Sequence, residues 1–416
     1  MIQFIRNTKL KGNISIPSSK SDGQRALLSA AFSPGIAIIN NLGSSDDERV
    51  MLLNIEILGA KVKWISTNEL KITGIEKFPE YLELDVGESG LGLRLLSGVC
   101  ATQKGIHSIN GKGTLLDRDQ SFFERNLNKY GAEISSNNGM LPLVFKGSIN
   151  TDEIEVDGSE SSQYISGLLI GLALCFRSKK LRVNLLNSTP YVDMTLDTMN
   201  HFGVYVENDN YTTFTLNGDD KFSACKYNVE SDWSSASYWF AAAAIGATIT
   251  ISGLNIKSKQ ADIRFLEALK LAGCTVDCTV DSFSITSNQL SGFCFDATDC
   301  PDLFPALVVL ASKCNGTTKI SGVERLVNKE SNRGLALQQE FGKLGVNIQL
   351  NDGVMIIEGN SILKSARVNS NYDHRIAMSL GIIGTTISGG IEIENAEAVT
   401  KSYPEFWEHL AHLSVG

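Results

Sequence analysis

The sequence predicts an α+β protein of two domains, each assembled from three similar units, and two observations predict it. Five segments repeat a helix, a glycine stop and a short strand in nearly constant register, and a second helix-then-strand pattern occurs six times among them. The unit is therefore about 70 residues long, with two helices and several strands, and six copies nearly exhaust the chain. A length of 416 residues accommodates two or three domains with real cores.

The first pattern comprises LLNIEILGAKVKW, ERNLNKYGAEIS, LDTMNHFGVYVE, LEALKLAGCTVD and LQQEFGKLGVNIQ. Their stop glycines are Gly59, Gly131, Gly203, Gly273 and Gly345, spaced by 72, 72, 70 and 72 residues. Each suits the left-handed turn that ends a helix, and the alternating apolar residues after it suit a half-buried strand. The second pattern comprises ALLSAAFSPGIAIINNL, LLSGVCATQKGIHSING, ISGLLIGLALCFRSKKLRVNLL, YWFAAAAIGATITISGL, PALVVLASKCNGTTKISGV and AMSLGIIGTTISGGIEIEN. A sixth copy of the first pattern, FWEHLAHLSVG, reaches Gly416, 71 residues past Gly345, before any strand can follow. A strand around residues 3–16 is expected to fill that vacancy. This puts both termini in a discontinuous domain of residues 1–18 and 230–416, with residues 19–229 inserted. A cleft between two such lobes is a favoured place for a ligand.

Composition narrows the partners. Lys plus Arg number 37 against 46 Asp plus Glu, a net charge of -9, so a general nucleic-acid surface is excluded and an anionic ligand needs a local cationic cluster. The longest apolar run, residues 165–176, is too short to span a membrane, and the N-terminus lacks the apolar core of a signal peptide. A cytoplasmic protein is expected. Eight scattered cysteines, without a close CxxC pair, read as buried reduced thiols and not as metal ligands.

Chemistry collects where the second-pattern helices begin: SSKSDGQR, GESGLGLR, GSESSQYIS, SDWSSASYW, DCPDLFPA and NYDHRIAM. Ser, Gly and Asp there are helix caps in the plainest reading. Capping does not call for Lys20 and Arg25 on one start, Gln163 on another, and His374 with Arg375 on a third. Helix N-termini attract phosphate and carboxylate, so several of them with basic side chains make an anion trap. Arg118, Lys329, Arg333 and Lys401 lie in polar connections, and Asp302 and Glu330 are either further caps or proton-transfer groups.

At these residues the chain resembles the 5-enolpyruvylshikimate-3-phosphate (EPSP) synthase family. The resemblance rests on SKS-x3-R at 19–25, DGSxSSQ at 157–163, SxPYxDxT at 188–195, SSASY at 234–238, KE[ST]xR at 329–333, DHRxAM at 373–378 and TKxxP at 400–404, in the family's order. It implies an α+β fold of two lobes with three βαβαββ repeats each, helices inside and sheets outside, closing on substrate. It also implies transfer of the enolpyruvyl group of phosphoenolpyruvate to the 5-hydroxyl of shikimate 3-phosphate, with no metal or organic cofactor. The discontinuous domain would bind mainly phosphoenolpyruvate and the inserted one mainly shikimate 3-phosphate. The partners would be these small molecules, with no nucleic acid or membrane, and the protein a monomer.

By matching positions, the resemblance assigns Lys20, Ser21 and Arg25 to shikimate 3-phosphate, with Lys20 also reaching phosphoenolpyruvate. Ser161, Ser162 and Ser188 would hold the shikimate phosphate, Gln163 both substrates, and Tyr191 the ring. Arg118, Arg333, Arg375 and Lys401 would grip phosphoenolpyruvate, with Gly90 admitting it to the backbone, while Asp302 and Lys329 hold the shikimate hydroxyls. Asp302 and Glu330 are the expected proton-transfer residues, with Lys20 the alternative acid and His374 assisting. Three positions depart from the family pattern: Glu88 stands where Asn is common, Leu91 where Thr is, and Arg325 where another Asn is. Glu88 brings negative charge near an anion pocket. Two rivals are an enolpyruvyl transferase acting on UDP-N-acetylglucosamine and a non-catalytic repeat protein that binds a phosphorylated metabolite. The first typically carries Lys-Asn where this chain has Lys20-Ser21, and the second has no need of Asp302, Glu330 and Lys20 together.

Overall fold

The computed structural model describes residues 1–280 and 282–415. The expectation placed on Gly416 lies outside the described residues. The chain divides into two compact units, residues 1–17 with 231–416, and residues 18–230. The helices of the larger segment are α1 (Lys20–Ala31), α2 (Asp46–Ile57), α3 (Gly90–Thr102), α4 (Phe122–Leu127), α5 (Ser162–Ala173) and α6 (Thr189–His201). Those of the discontinuous unit are α7 (Trp233–Ala244), α8 (Phe265–Leu271), α9 (Phe304–Ser312), α10 (Arg333–Lys343), α11 (His374–Gly384) and α12 (Phe406–Leu413).

One repeat shows the full pattern, from which the sheet of Ile2–Ile5, Ile391–Glu394 and Arg367–Asn369 departs in having three strands. Glu153–Asp157 runs parallel to Lys179–Asn184 across α5, and Thr213–Leu216 pairs antiparallel with both Lys179–Asn184 and Val206–Asp209. The order of elements is therefore βαβαββ. In two sheets the first strand is supplied from elsewhere in the chain: Lys226–Asn228 pairs parallel with Ile36–Asn40, and Lys9–Ser15 with Thr248–Ser252.

The N-terminal segment differs from the single strand expected of it. It forms two strands in two sheets, Ile2–Ile5 against Ile391–Glu394 and Lys9–Ser15 against Thr248–Ser252. The closing helix also corrects an expectation, because α12 runs directly into a short strand, Ser414–Val415, that pairs with Lys9 and Leu10. Ser414 Oγ donates to the Leu410 carbonyl at 2.8 Å, so the turn out of the helix is held by its own last residues.

Burial divides the layers. Helices α7, α9 and α11 are buried along their whole length, whereas strands such as Tyr81–Asp85 and Thr317–Ser321 alternate buried and exposed residues. In each unit the helices are inside and the sheets present one face to water. The five stop glycines all have positive φ, from 88° to 106°, as the left-handed helix stop requires. The cysteines are only partly as expected: Cys100, Cys274, Cys300 and Cys314 are buried, but Cys278 and Cys294 are exposed.

Glycine sets the closest helix contact in residues 18–230. A Cβ on Gly98 would lie 2.1 Å from the Gly167 carbonyl carbon, and one on Gly167 would lie 2.2 Å from the Arg94 carbonyl oxygen. Helices α3 and α5 thus touch backbone to backbone, which brings their N-termini together. Replacing Gly98 by valine is expected to cost at least ~3 kcal/mol of stability, since neither backbone can yield as a side chain could. Urea unfolding would measure this, and a loss below about 1 kcal/mol would contradict the close packing.

Candidate active site

In residues 18–230, three helix starts are tied together by side chains. Ser19 caps α1, Ser89 caps α3 and Ser161 caps α5. The Ser89 hydroxyl donates to Gln24 Oε1 of α1 at 3.0 Å, and Arg94 of α3 donates to Gln163 Oε1 of α5 at 2.6 Å. Arg94 also lies over the Tyr164 ring, 5.0 Å from its centroid. Gly90 opens α3, where an added Cβ would sit 3.2 Å from Arg118 NH1 and 3.4 Å from Arg94 NH1. Only a bare backbone leaves both guanidinium groups undisturbed.

Around this core, Lys20 Nζ donates to Asp47 Oδ2 at 2.8 Å with both side chains nearly buried. Arg25 is 1% exposed and binds its own surroundings: Nε to Thr195 Oγ1 at 2.7 Å, NH1 to the Ser21 carbonyl at 2.7 Å and NH2 to the Tyr191 carbonyl at 3.1 Å. It thereby joins the start of α1 to α6. Ser188, 3% exposed, precedes α6 in the left-handed conformation at φ 57°. Non-glycine residues held there concentrate at functional sites. Ser162 is buried, and Ser21, Ser161, Gln163 and Tyr191 are half-buried. Asp22 accepts Tyr227 Oη at 2.7 Å and the Glu230 amide at 2.9 Å, yet burial outweighs both bonds and pushes its carboxyl up to about 6.

In the discontinuous unit the cluster centres on Asp302, carried by the 3-10 turn Pro301–Leu303 ahead of α9. Its carboxylate accepts Lys329 Nζ at 3.2 Å and Arg333 NH1 at 2.8 Å on one oxygen, and Arg375 NH2 at 2.9 Å on the other. Burial alone would raise this carboxyl, but Arg375, Lys329 and Arg333 together hold it well below the usual range. The group is an acceptor at neutral pH. Burial also lowers the Lys329 ammonium despite Asp302 beside it.

Arg333 is 0% exposed and forks onto Asp373, with Nε to Oδ2 at 2.9 Å and NH2 to Oδ1 at 3.3 Å, while NH2 also reaches Glu330 Oε2 at 2.6 Å. Asp373 caps α11 through the Arg375 amide at 2.9 Å and accepts Ser331 Oγ at 3.2 Å. His374 is 1% exposed, its Nδ1 4.0 Å from Asp373 Oδ1, and Lys401 donates to the Tyr372 carbonyl at 3.1 Å. Glu330, Asp373 and His374 bring donor atoms within 4.8 Å of one another, a spacing suited to a cation. Positive charge there is supplied by Arg333.

Within each unit the structure joins some of the residues singled out from sequence, Arg25 with Ser21 and Tyr191, Gly90 with Arg118, and Asp302 with Lys329, Arg333 and Arg375, while Lys20 pairs with Asp47 and Lys401 with the Tyr372 carbonyl. It also separates capping from chemistry: α10 is capped by Asn332, and Asp302 forms no cap bond but faces three cations. Among the charged residues of the clusters that escaped the sequence reading, beside Asp22 and Arg94, are Asp47, Asp373 and Asp262. Asp47 sits in the acidic first turn Asp46–Asp47–Glu48 of α2, where it looks like one more helix-start acid, and Asp373 looks like a cap alone. Asp262 is 2% exposed and accepts Ser234 Oγ, and burial together with the nearby Asp302 pushes it up to about 7. No local pattern marks it.

Comparison with known proteins shows the family. The model of the family EPSP synthase (3-phosphoshikimate 1-carboxyvinyltransferase) matches residues 5–410. The chain is 37% identical to a 3-phosphoshikimate 1-carboxyvinyltransferase of Clostridium acetobutylicum over 411 residues, covering 97% of this chain and 95% of the relative. One from Clostridium novyi is 35% identical over 413 residues, covering 96% and 94%. Among solved structures, an EPSP synthase from Acinetobacter baumannii superimposes with a TM-score of 0.82 at 26% identity, over 99% of this chain and 98% of that one. The enolpyruvyl transferase NikO from Streptomyces tendae shares the fold, with a TM-score of 0.76 at 15% identity and coverage of 99% and 97%. The chain belongs to the EPSP synthase family, the 3-phosphoshikimate 1-carboxyvinyltransferases.

Proposed function

We propose that this chain transfers the enolpyruvyl group of phosphoenolpyruvate to the 5-hydroxyl of shikimate 3-phosphate, releasing phosphate, as a step of aromatic amino-acid biosynthesis. Ser161, Ser162 and Ser188 hold the shikimate phosphate, Lys20, Ser21 and Arg25 bind shikimate 3-phosphate with Lys20 also reaching phosphoenolpyruvate, Tyr191 lines the ring, and Gln163 reaches both substrates. Arg118, Arg333, Arg375 and Lys401 serve phosphoenolpyruvate, with Gly90 leaving room at the backbone. The enzyme works as a cytoplasmic monomer; eight unpaired cysteines support a reducing compartment.

The observation that carries the reading is the ionised Asp302 among Lys329, Arg333 and Arg375. A carboxylate so placed is ionised and accepts a hydrogen bond from the attacking 5-hydroxyl that Lys329 helps orient, and it gains the basicity to take that proton as the cations turn to the substrates. Glu330, with Lys20 as the alternative acid and His374 assisting, then protonates the methylene carbon of phosphoenolpyruvate. When the tetrahedral intermediate collapses, the methyl carbon returns a proton to the Glu330 carboxylate, the double bond re-forms, and the cations stabilise charge on the departing phosphate. Phosphate release measured with shikimate 3-phosphate plus phosphoenolpyruvate tests the whole reading. Release is expected with that pair; no release, or release only with a UDP-sugar acceptor, would remove it.

A further inference from the structure

Glu88 stands in the turn before α3, and its carboxylate is engaged with the 3-10 turn Gly113–Asp117, which leads into Arg118. Its Oε2 accepts both the Thr114 amide and the Thr114 hydroxyl at 3.3 Å. The same hydroxyl accepts from Arg118 NH2 at 3.1 Å. Since that oxygen accepts a hydrogen bond from Arg118, its own hydrogen is directed at Glu88. The result is a one-way chain from guanidinium through hydroxyl to carboxylate, in which each bond polarises the next. Gly113 makes the approach possible: its φ is 57°, and an added Cβ would fall 2.3 Å from the Glu88 carboxyl carbon.

We propose that Glu88 and Thr114 are positioning residues that hold the Arg118 guanidinium beside Gly90 and thereby set the affinity for phosphoenolpyruvate. The proposal rests on the reading of Arg118 as a phosphoenolpyruvate ligand. Two effects of the Glu88 charge oppose each other. Its repulsion of an anionic ligand, screened at a half-exposed site, weakens binding about twofold. Releasing Arg118 from a charge-assisted bond weakens binding roughly fivefold to thirtyfold, so positioning prevails.

The test is steady-state kinetics of the full chain with both substrates varied, for Glu88→Leu, which removes the acceptor oxygens, Thr114→Val, their double variant, Thr114→Ser and Arg118→Ala. The first two are each expected to raise the phosphoenolpyruvate KM roughly fivefold to thirtyfold while the shikimate 3-phosphate KM stays within about twofold. The double variant should be no worse than the worse single one, because both act through one chain of bonds. Thr114→Ser, which keeps the hydroxyl, should behave as the parent; a general loss of structure would not produce this split or this rescue. An unchanged phosphoenolpyruvate KM in Glu88→Leu and Thr114→Val, alongside a raised one in Arg118→Ala, would overturn the positioning role alone. Tighter phosphoenolpyruvate binding in Glu88→Leu would overturn it too, by showing that repulsion dominates. If Arg118→Ala itself leaves that KM unchanged, the assignment of Arg118 fails and takes this proposal with it.

Discussion

Replacing Asp302 by asparagine is expected to lower kcat roughly a hundredfold to ten-thousandfold, the range for loss of a positioned proton acceptor. Asparagine preserves the shape but presents one oxygen and an NH2 group where Asp302 presents two acceptor oxygens. Lys329 and Arg333 share one of those oxygens and Arg375 takes the other, so the amide must turn its donor toward at least one cation. Both consequences act on the chemical step: the acceptor for the hydroxyl proton is lost, and three cations lose their common counter-charge. Rapid-quench or steady-state rates with shikimate 3-phosphate and phosphoenolpyruvate would measure the effect. A loss smaller than about tenfold would remove Asp302 from proton transfer.

Replacing Arg333 by methionine should cost about 3–5 kcal/mol of stability in the discontinuous unit, the range for breaking a buried ion pair from one side. Methionine fills much of the volume but leaves Asp373, 0% exposed, without its forked partner. Arg333→Lys restores charge without the planar fork and should recover only part of the loss. Acid should narrow the difference between parent and Arg333→Met. The folded-state pKa of Asp302 is depressed, so its contribution is present above the ordinary value of 3.8 and disappears as pH falls through the depressed one. Arg333 is one of three cations causing that depression, hence the variant surrenders the contribution at a higher pH. Urea unfolding at neutral pH and near pH 3 would show both effects, and equal stability of parent and methionine variant at neutral pH would contradict the buried fork.

The repeat was readable because its punctuation is local. Gly59, Gly131, Gly203, Gly273 and Gly345 each answer a requirement of a single chain turn, positive φ after a helix, whatever lies around them. The caps were readable for the same reason, with Ser19, Ser89, Ser161, Asp232 and Asp373 each bonding an amide two or three residues ahead. The route of the N-terminal segment was only half legible. Its alternation announces a strand, but Gly12 at φ 135° and the partners of Ile2–Ile5 and Lys9–Ser15 belong to distant parts of the chain.

Sequence alone determined the element types, the six-fold repetition and the inventory of basic, acidic and capping residues, because backbone conformation and amphipathic period depend on neighbours a few positions away. Tertiary structure decided which charge meets which. Asp47 answers Lys20 across 27 positions, Asp302 answers Arg375 across 73, and Asp262 is set by burial next to Asp302. The field at a carboxyl depends on charges a few ångströms away and on the water excluded around it, and neither quantity is written in the order of residues.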